Sequence, residues 1–399
     1  MDFELTPEQE ALRAEFELFF TDEENRAPAE WASKGLMLAP FESDESWAYH
    51  RSVAEKLAKR GWLALPWPKK YGGQEHSYIE QLIFSESRAY HRVPGVDLWG
   101  PGIVAPSILE HGSEELKQEW LPRIANAEIN WCQGWSEPNA GSDLASLATR
   151  ATEDGNDYVI NGQKIWTSGA HRASHIFFMA RTDPDVPKHK GITYFLSEVN
   201  KPGFTVRPLL FMNREHDYNE VFFDNFRVPK KNIVGQVNQG WQVTMAGINF
   251  ERSMIGGVAE AKRDLEDLVD FCRQTHRDGQ PLAKHSSVRN TLANFAIEIE
   301  ALRQYAYGVA WQQSKGSFAI ADSSASKYIS SELSVRLSNA GLEIIGLCGT
   351  VRSGSKWAKL HGKLEHSCQA NLGITIAGGS TETMKNIISW MGLQLPRIK

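Results

Sequence analysis

The stretch Gln133–Asp143, which reads QGWSEPNAGSD, separates a helix-like part of the chain from a strand-like part. Its small residues let backbone N–H groups approach an anion, and Ser136 and Ser142 add hydroxyl donors. Such a segment can hold a pyrophosphate, although a Gly/Ser/Asn run taken alone is more often a loop that only turns the chain. It is not the GxGxxG fingerprint of a dinucleotide-binding unit, because that motif and its strand–helix context are absent.

On the N-terminal side, residues 1–128 carry helical patterns. Thr6, Pro7 and Glu8 predict an N-cap, a proline in the first turn and an acidic first turn. Ser113, followed by two glutamates, predicts the start of another helix, which we expect to end near Leu121–Pro122.

On the C-terminal side, residues 129–236 change to short β-branched and aromatic runs. Tyr158–Ile160 is followed by Asn161–Gly162, a pair typical of tight hairpins. This pattern predicts an antiparallel sandwich or barrel. The other runs of this type are Ile176–Met179, Ile192–Leu196 and Val221–Phe223.

Residues 237–399 return to helical spacing. Leu333, Leu337, Gly341 and Ile344 are spaced by four, four and three residues, which predicts one buried helix face. Small residues on that face would allow close helix packing in a bundle. The predicted fold is therefore α+β and multidomain: helices over 1–128, a β domain over 129–236 and helices over 237–399.

Composition excludes several classes of protein. The formal net charge is -6, from 43 basic and 49 acidic residues, so a broad nucleic-acid surface is not expected. The 4 cysteines form no CxxC pair and no metal-ligand spacing. Free thiols and the absence of an apolar leader predict a cytoplasmic protein without a metal site. No stretch approaches the roughly 18 apolar residues of a membrane span.

Three more segments are candidates for chemistry. In Asn161–Ala170, NGQKIWTSGA, Trp166 and Ser168 would share one face of a strand and could flank a flat ring; an ordinary half-buried strand is the plainer interpretation. In Asn249–Arg252, a Glu–Arg neighbour pair is usually solvent-exposed. In Ala377–Glu382, AGGSTE, a loop with a Ser380 or Thr381 N-cap opens the last helix.

Taken together and in this order, these segments resemble the acyl-CoA dehydrogenase family across essentially the whole chain. GWSEPNAGSD resembles the family's TEPGAGSD, and NGQKIWTSGA resembles its NGxKxWITNG strand. NEVFFDNFRVPKKNIVGQVNQGW closes the strand region as in the family, and GGSTETMKNII resembles its GTxxxQRxII ending. The resemblance implies an N-terminal helical domain, a central antiparallel β domain and a C-terminal four-helix bundle.

The resemblance also implies FAD as cofactor and an acyl-CoA thioester as substrate. Substrate contacts are expected at Ser142, Arg252 and Gly378. The residues expected to contact FAD are Gln133, Trp135, Ser136, Ser142, Trp166, Thr167, Ser168, Gly379, Ser380 and Glu382.

The expected reaction removes two hydrogens from the α and β carbons of the thioester. Many family members place the catalytic glutamate directly before the final GT motif, but Gly378 stands there in this chain. A minority place it directly before an arginine on a C-terminal helix, which corresponds to Glu251 before Arg252. The resemblance therefore implies Glu251 as the base, with hydride passing to flavin N5.

Two motifs that homotetrameric members contribute to a neighbour's FAD site differ here. The RxxFG arginine is replaced by Thr275, and the QxxGGxG segment reads Glu343–Gly349. GWLALPWPKKYGGQ and INFERS resemble the two-subunit steroid side-chain members, so a heterotetramer with a related subunit is expected beside the homo-oligomer alternative. An electron-transferring flavoprotein or similar protein is the expected electron acceptor.

Two other functions remain open at this point. Flavin monooxygenases and oxidases share the fold and need no α-proton base. A non-catalytic subunit could instead complete the site of another chain, although Glu251 argues against that interpretation.

Overall fold

The computed structural model describes residues 4–36, 38–251, 255–317 and 319–397, with the backbone alone at 32 and 248–251. The chain forms two compact units. The helical unit comprises Met1–Ala39, Ser77–Pro94 and Arg252–Lys399; the sheet unit comprises Pro40–His76 and Gly95–Glu251. The units cut across the sequence domains 1–128, 129–236 and 237–399, whose boundaries stay a prediction.

Helices occupy most of the helical unit and part of the sheet unit. In chain order they are α1 (Pro7–Glu24), α2 (Asp44–Lys59), α3 (Tyr78–Tyr90), α4 (Ala105–His111), α5 (Glu114–Ala125), α6 (Gly240–Glu251), α7 (Ile255–Gln274), α8 (Ser286–Ser314), α9 (Ile320–Ile345), α10 (Lys363–Ile374) and α11 (Thr381–Ile387). None of the helices within the described ranges is long and apolar enough to cross a membrane.

The strands lie almost entirely in the sheet unit. They are β1 (Trp131–Gly134), β2 (Arg150–Asp154), β3 (Asp157–Lys164), β4 (His175–Arg181), β5 (Ile192–Glu198), β6 (Phe204–Leu209), β7 (Tyr218–Pro229), β8 (Ile233–Val234), and the short pair β9 (His276–Arg277) and β10 (Gln280–Pro281). The large sheet has the order β6-β7-β3-β2-β4-β5-β8, with β1 paired to β4. Most neighbours are antiparallel, as predicted, but β1 and β2 each pair parallel with β4.

The predicted helix starts are confirmed. Thr6 caps α1 in a capping box with Gln9, and Pro7 occupies the first turn. Ser113 caps α5 through the N–H of Leu116. The predicted end of α5 near Pro122 is wrong: the helix continues to Ala125. Proline removes only one hydrogen bond here, and burial of the last turn offsets that loss.

The predicted core face of α9 is confirmed. Leu333, Leu337 and Ile344 are buried. A Cβ at Gly341 would lie 2.5 Å from Leu364 Cδ1, so the glycine permits close packing of α9 on α10.

The hairpin predicted at Asn161–Gly162 is wrong. β3 runs through both residues, and the β2–β3 turn lies at Gly155–Asn156 instead. The pairing of β3 with β7 shifts register between Ile160 and Gly162. A Cβ at Gly162 would lie 2.5 Å from Thr149 Oγ1, so the glycine answers a close tertiary approach and not a turn.

An ion pair in the interior of the sheet unit joins three of its segments. Lys164 Nζ lies 2.7 Å from Glu137 Oε1, and the Lys164 side chain is 0% exposed. The same ammonium donates to the carbonyl of Trp135 at 3.2 Å. Glu137 accepts the N–H groups of Ala148 and Thr149 at 2.6 and 2.9 Å. The pair therefore ties the end of β3 to the loop after β1 and to the segment before β2.

Burial makes each charge of this pair dependent on the other. Burial lowers the pKa of Lys164 to about 8, although Glu137 opposes the shift. Burial alone would raise the pKa of Glu137, but the charge of Lys164 and the hydrogen bonds to the carboxylate lower it. Both groups are therefore ionised at neutral pH, and removal of either leaves a buried charge without its counterion.

We predict that Glu137→Gln lowers the free energy of unfolding by about 3–5 kcal/mol, because Lys164 then stays buried without a carboxylate. The double variant Glu137→Gln/Lys164→Met should recover part of that loss. Lys230→Met, which breaks the solvent-exposed pair with Glu153, is the control and should cost less than about 1 kcal/mol. Chemical denaturation measures all three; equal losses in Glu137→Gln and Lys230→Met would contradict the prediction.

A second network, in the helical unit, surrounds a histidine whose pKa is raised. His91 Nδ1 lies 2.7 Å from Glu24 Oε2, and His91 Nε2 lies 2.8 Å from Glu17 Oε2. Burial would lower the pKa of His91, but its hydrogen bonds to Glu17 and Glu24 outweigh burial and raise the pKa to about 9. The protonated imidazole thus joins α1 to the end of α3.

We predict that stability falls as pH rises through about 9. The folded pKa of His91 lies above the unfolded value near 6.5, so its contribution is complete below 6.5 and is lost as pH rises. Between these values wild type should lose about 2 kcal/mol more than His91→Gln, after allowance for solvent screening. Denaturation at several pH values tests this; His276→Gln, at an exposed site, should follow wild type. Parallel profiles for wild type and His91→Gln would count against the assignment.

Candidate active site

The Gln133–Asp143 stretch begins as the end of β1 and then leaves the sheet. A Cβ at Gly134 would lie 2.7 Å from Phe178 Cβ, so only glycine lets β1 lie this close to β4. Trp135 is buried and packs edge-on against Phe177 at 5.7 Å between ring centroids. Its indole Nε1 has no hydrogen-bond partner among the described residues. Gln133 and Ser136 are half-buried.

The rest of the stretch forms a loop in which Glu137 and Ala140 are buried and the other residues are exposed. Glu137 and Ala140 exchange two backbone hydrogen bonds of 3.0 Å, which closes a tight turn. Ser142 is exposed, and a Cβ at Gly141 would meet no described atom within 4 Å. The two acidic side chains of the stretch are each neutralised by a lysine, with Asp143 2.7 Å from Lys188. An anionic ligand would therefore meet hydroxyl and amide donors without an unpaired carboxylate.

The Trp166–Ser168 segment lies directly beside this stretch. The backbone N–H of Ile165 donates to the carbonyl of Ser136 at 2.9 Å. Together with the Lys164 contact to Trp135, this bond brings the two predicted segments together within the sheet unit.

The predicted strand placement of Trp166 and Ser168 is wrong. β3 ends at Lys164, and Trp166 adopts φ 61 in the left-handed region. The strand cannot continue, since the N–H of Thr167 bonds to the carbonyl of Asn219 at 3.0 Å in an irregular connection outside the ladder. Trp166 is 51% exposed and packs edge-on against Tyr218 at 5.7 Å, whereas Ser168 is buried. Trp166 thus leaves part of a flat apolar ring exposed.

Thr167 is buried, and both of its main-chain polar groups are occupied by one residue. Its N–H donates to the Asn219 carbonyl, and its own carbonyl accepts from Asn219 Nδ2 at 3.0 Å. Thr167 Oγ1 has no hydrogen-bond partner among the described residues.

The Ala377–Glu382 segment lies in the helical unit. Gly378 and Gly379 have φ 66 and φ 99, and Ser380 then caps α11 by accepting the N–H of Thr383 at 3.2 Å. The exposed Glu382 stands in the first turn of α11, where the backbone at the helix start and Ser380 lower its carboxyl pKa.

A buried lysine holds this loop in place. Lys327 Nζ donates to the carbonyls of Ile374 and Gly379 at 2.9 and 2.6 Å. Thr381 Oγ1 donates to Glu332 at 2.6 Å. The AGGSTE loop is therefore fixed at both ends to α9.

The predicted base lies on α6. Glu251 is the last residue of that helix, and the structure describes only its backbone. Its side chain and the whole of Arg252 lie outside the described residues. One turn earlier, a Cβ at Gly247 would lie 2.5 Å from Ser107 Oγ and 3.0 Å from the carbonyl of Ile103. Gly247 therefore serves the close packing of α6 on its neighbours.

The residues present fit a flavin dinucleotide. The exposed indole of Trp166 offers a flat apolar surface, and Ser136 and Ser142 offer hydroxyl donors. The unpartnered Trp135 Nε1 and Thr167 Oγ1 are buried polar atoms within the same two segments. This combination suits a flat ring that also carries polar edges and a phosphate group.

Sequence reasoning missed Glu137, Lys164 and Asn219. The first two stand inside the two quoted motifs, so the signal was present. Their pairing across 27 positions could not be deduced from either motif alone.

Comparisons with known proteins assign these features to one family. Three family models match in order: Acyl-CoA dehydrogenase N-terminal domain over residues 6–128, middle domain over 132–226 and C-terminal domain over 238–391. The chain is similar to Acyl-CoA dehydrogenase FadE26 of Mycobacterium tuberculosis (strain ATCC 25618 / H37Rv), with 34% identity covering 100% of this chain and 99% of the relative.

Solved structures give the same result. The chain is similar to a chain in the crystal structure of the ChsE4-ChsE5 complex from Mycobacterium tuberculosis. The TM-score is 0.89, the identity is 34%, and 100% of this chain and of the matched chain is covered. It is also similar to a structure described as Tcur3481-Tcur3483 steroid ACAD, with a TM-score of 0.89, 31% identity and 100% of this chain and of the matched chain covered. The predicted helices–sheet–helices fold and the resemblance to the heteromeric steroid type are confirmed. The chain therefore belongs to the acyl-CoA dehydrogenase family and is an FAD-dependent oxidoreductase that acts on acyl-CoA.

Proposed function

We propose that the protein oxidises an acyl-CoA thioester to the 2-enoyl-CoA, with Glu251 as the base that removes the α-proton. Bound FAD would supply the hydride acceptor for the β-hydrogen. The observation that carries the proposal is the joined pair of segments, in which the exposed Trp166 indole lies next to the half-buried Ser136 loop. The residues that would bind FAD are Gln133, Trp135, Ser136, Ser142, Trp166, Thr167, Ser168, Gly379, Ser380 and Glu382.

The assignment of Glu251 is supported by exclusion of the usual position. Gly378 stands where many relatives carry the base, and a Cβ there would meet no described atom within 4 Å. Glu382, the next acidic residue along the chain after Gly378, is exposed and lies in the first turn of α11. Glu251 is instead held on α6, whose position is fixed by the Gly247 contact. Its carboxylate would take the α-proton while hydrogen bonds to the thioester oxygen stabilise the negative charge. Arg252 would order that segment or contact CoA.

We expect Glu251→Gln to slow anaerobic reduction of the bound flavin by acyl-CoA by about 10²–10⁴-fold, because the amide cannot accept the α-proton. Binding of acyl-CoA, measured by titration of the flavin absorbance, should change little. Glu15→Gln, at an exposed site on α1, is the matched control and should reduce at the wild-type rate. Undiminished flavin reduction in Glu251→Gln would rule out Glu251 as the base. It would favour the alternative in which this chain is a non-catalytic subunit. Fast reaction of the reduced protein with oxygen would favour the monooxygenase or oxidase alternative.

We infer further that a related subunit completes the FAD site in a heterotetramer. The two altered motifs lie together in the helical unit, where Arg277 donates to the carbonyl of Ile344 at 2.9 Å. Leu347, within the second motif, is 94% exposed. A large exposed apolar side chain in a family motif favours burial against another chain. The two solved complexes named above are assemblies of two different chains, which supports the same arrangement here.

Expressed alone, the chain should bind less than one FAD per chain, and co-expression with the related subunit should restore binding and turnover. Leu347→Asp should leave the single chain folded but prevent assembly, since burial of the new charge is unfavourable. Leu18→Asp, at another exposed apolar residue, is the control and should assemble normally. Light scattering and the ratio of flavin to protein absorbance measure both; full FAD occupancy and turnover by the chain alone would contradict the heteromer.

The comparison with a steroid ACAD favours a bulky, steroid-derived acyl group as substrate. An electron-transferring flavoprotein or similar acceptor would reoxidise the flavin. The free cysteines Cys132, Cys272, Cys348 and Cys368 agree with the reducing cytoplasm that we propose as its location. A panel of acyl-CoA thioesters with an artificial electron acceptor would define the substrate.

A further inference from the structure

Asn219, the second residue of β7, holds the main chain beside Trp166 and is 0% exposed. Its carbonyl accepts the N–H of Thr167, and its Nδ2 donates to the carbonyl of Thr167, both at 3.0 Å. One residue thus fixes both polar main-chain groups between Trp166 and Ser168.

The remaining contacts of the Asn219 amide fix the state of two histidines. Since Nδ2 donates to the Thr167 carbonyl, it is the NH₂ group, and its second hydrogen points to His171 Nδ1 at 3.2 Å. His171 Nδ1 must therefore be an acceptor. His171 Nε2 lies 3.0 Å from the carbonyl of Phe41 and must carry the hydrogen. Asn219 Oδ1 in turn accepts from His216 Nε2 at 2.8 Å.

His171 is held neutral by its surroundings. The two imidazoles stack with centroids 3.9 Å apart and planes at 19°. Burial lowers the pKa of His171, and the neighbouring His216 and Arg172 lower it further, whereas the hydrogen bond to the Phe41 carbonyl opposes the shift. Arg172 is paired with Asp44 at 2.6 Å. Other charged groups on the adjoining segments are Glu42, beside Phe41, and Arg214, Glu215, Asp217 and Glu220, around His216 and Asn219.

We propose that Asn219 is a positioning residue for the Trp166–Ser168 segment, and that neutral His171 is the acceptor that locks the Asn219 amide in its working orientation. The inference rests on the proposed function, which puts Trp166 and Ser168 at the flavin. The segment needs such support because Trp166 has φ 61, a conformation unfavourable for a bulky residue. Asn219 also anchors the start of β7 next to Tyr218, the residue on which Trp166 packs.

Protonation of His171 would break this arrangement. The added hydrogen on Nδ1 would face the NH₂ group of Asn219, so two donors would oppose each other in a buried site. Because the folded pKa of His171 lies below its unfolded value, the contribution of the lock is present above the unfolded value and is lost at lower pH. The Trp166–Ser168 segment is therefore expected to loosen on acidification before the rest of the sheet unit.

The first experiment compares Asn219→Asp with Asn225→Asp by hydrogen–deuterium exchange of the peptide 165–170. Asp at position 219 puts an oxygen against the Thr167 carbonyl, so protection of the Thr167 and Gly169 amides should fall about tenfold. Asn225 is exposed on the same strand, six residues away, or roughly 20 Å. Asn225→Asp should keep wild-type protection. Exchange is measured on the purified chain without added FAD, so the result does not depend on cofactor binding.

The second experiment uses His171→Gln, whose side-chain oxygen can accept from Asn219 and whose NH₂ can donate to Phe41 without titrating. Between about pH 7.5 and about pH 5, wild type should lose protection of peptide 165–170 after correction for intrinsic exchange. His171→Gln should stay flat. Should Asn219→Asp not fold, this comparison alone decides the proposal.

In the FAD-loaded assembly, Asn219→Asp should lower kcat about tenfold and shift the flavin absorbance spectrum, while KM for acyl-CoA changes little. Unchanged protection in Asn219→Asp, or the same acid loss in His171→Gln as in wild type, would overturn the positioning role. If the assembly binds no FAD or reduces none with any acyl-CoA, the proposed function fails, whereas the exchange results still test the Asn219 lock by themselves.

Discussion

The buried ion pair between Glu137 and Lys164 is the interaction on which the two candidate segments of the sheet unit, Gln133–Asp143 and Asn161–Ala170, depend. A charge with no exposure to water is tolerable only when its counterion and hydrogen bonds are complete. Glu137 completes them by accepting from Lys164 and from two backbone amides. The loop after β1, the segment before β2 and the end of β3 therefore share a single set of buried hydrogen bonds. Any arrangement that separates these segments would leave a charge buried in the protein interior without its counterion.

Asn219 likewise holds the segment after β3 in place through buried hydrogen bonds. Past Lys164 the sheet ladder stops, and the main chain of Thr167 takes its hydrogen bonds from one buried side chain and its backbone. The Glu137–Lys164 ion pair thus holds the end of β3, and the neutral hydrogen bonds of Asn219 hold Thr167, three residues further along the chain. Trp166 lies between these two residues, so its backbone is held in place although the segment is outside regular secondary structure.

Local chemistry made parts of the fold predictable from sequence. The caps at Thr6, Ser113 and Ser380 depend on residues only a few positions apart, and each is confirmed. The buried face of α9 follows from helical periodicity in the same way. Gly162 was misassigned to a turn because its role is set by Thr149, which the strand pattern does not reveal. The end of α5 was misplaced because burial beyond Pro122 is a tertiary effect.

The candidate site was predicted from motif resemblance more than from physics. Motif order identified the candidate segments, but it could not show that Trp166 leaves the strand in a left-handed conformation. The partners that hold these segments, Glu137, Lys164 and Asn219, are distant in sequence and chemically ordinary. Such residues are recognisable only when their burial and contacts are known.

Lys327 has a consequence for how this chain can change over evolution. One ammonium group binds the carbonyls of Ile374 and Gly379, so it fixes the number of residues that can lie between them. An inserted or deleted residue would move one carbonyl out of reach and leave a buried cation with fewer acceptors. Substitutions can therefore accumulate in the solvent-facing positions of this loop, while its length is held constant by a single side chain on another helix.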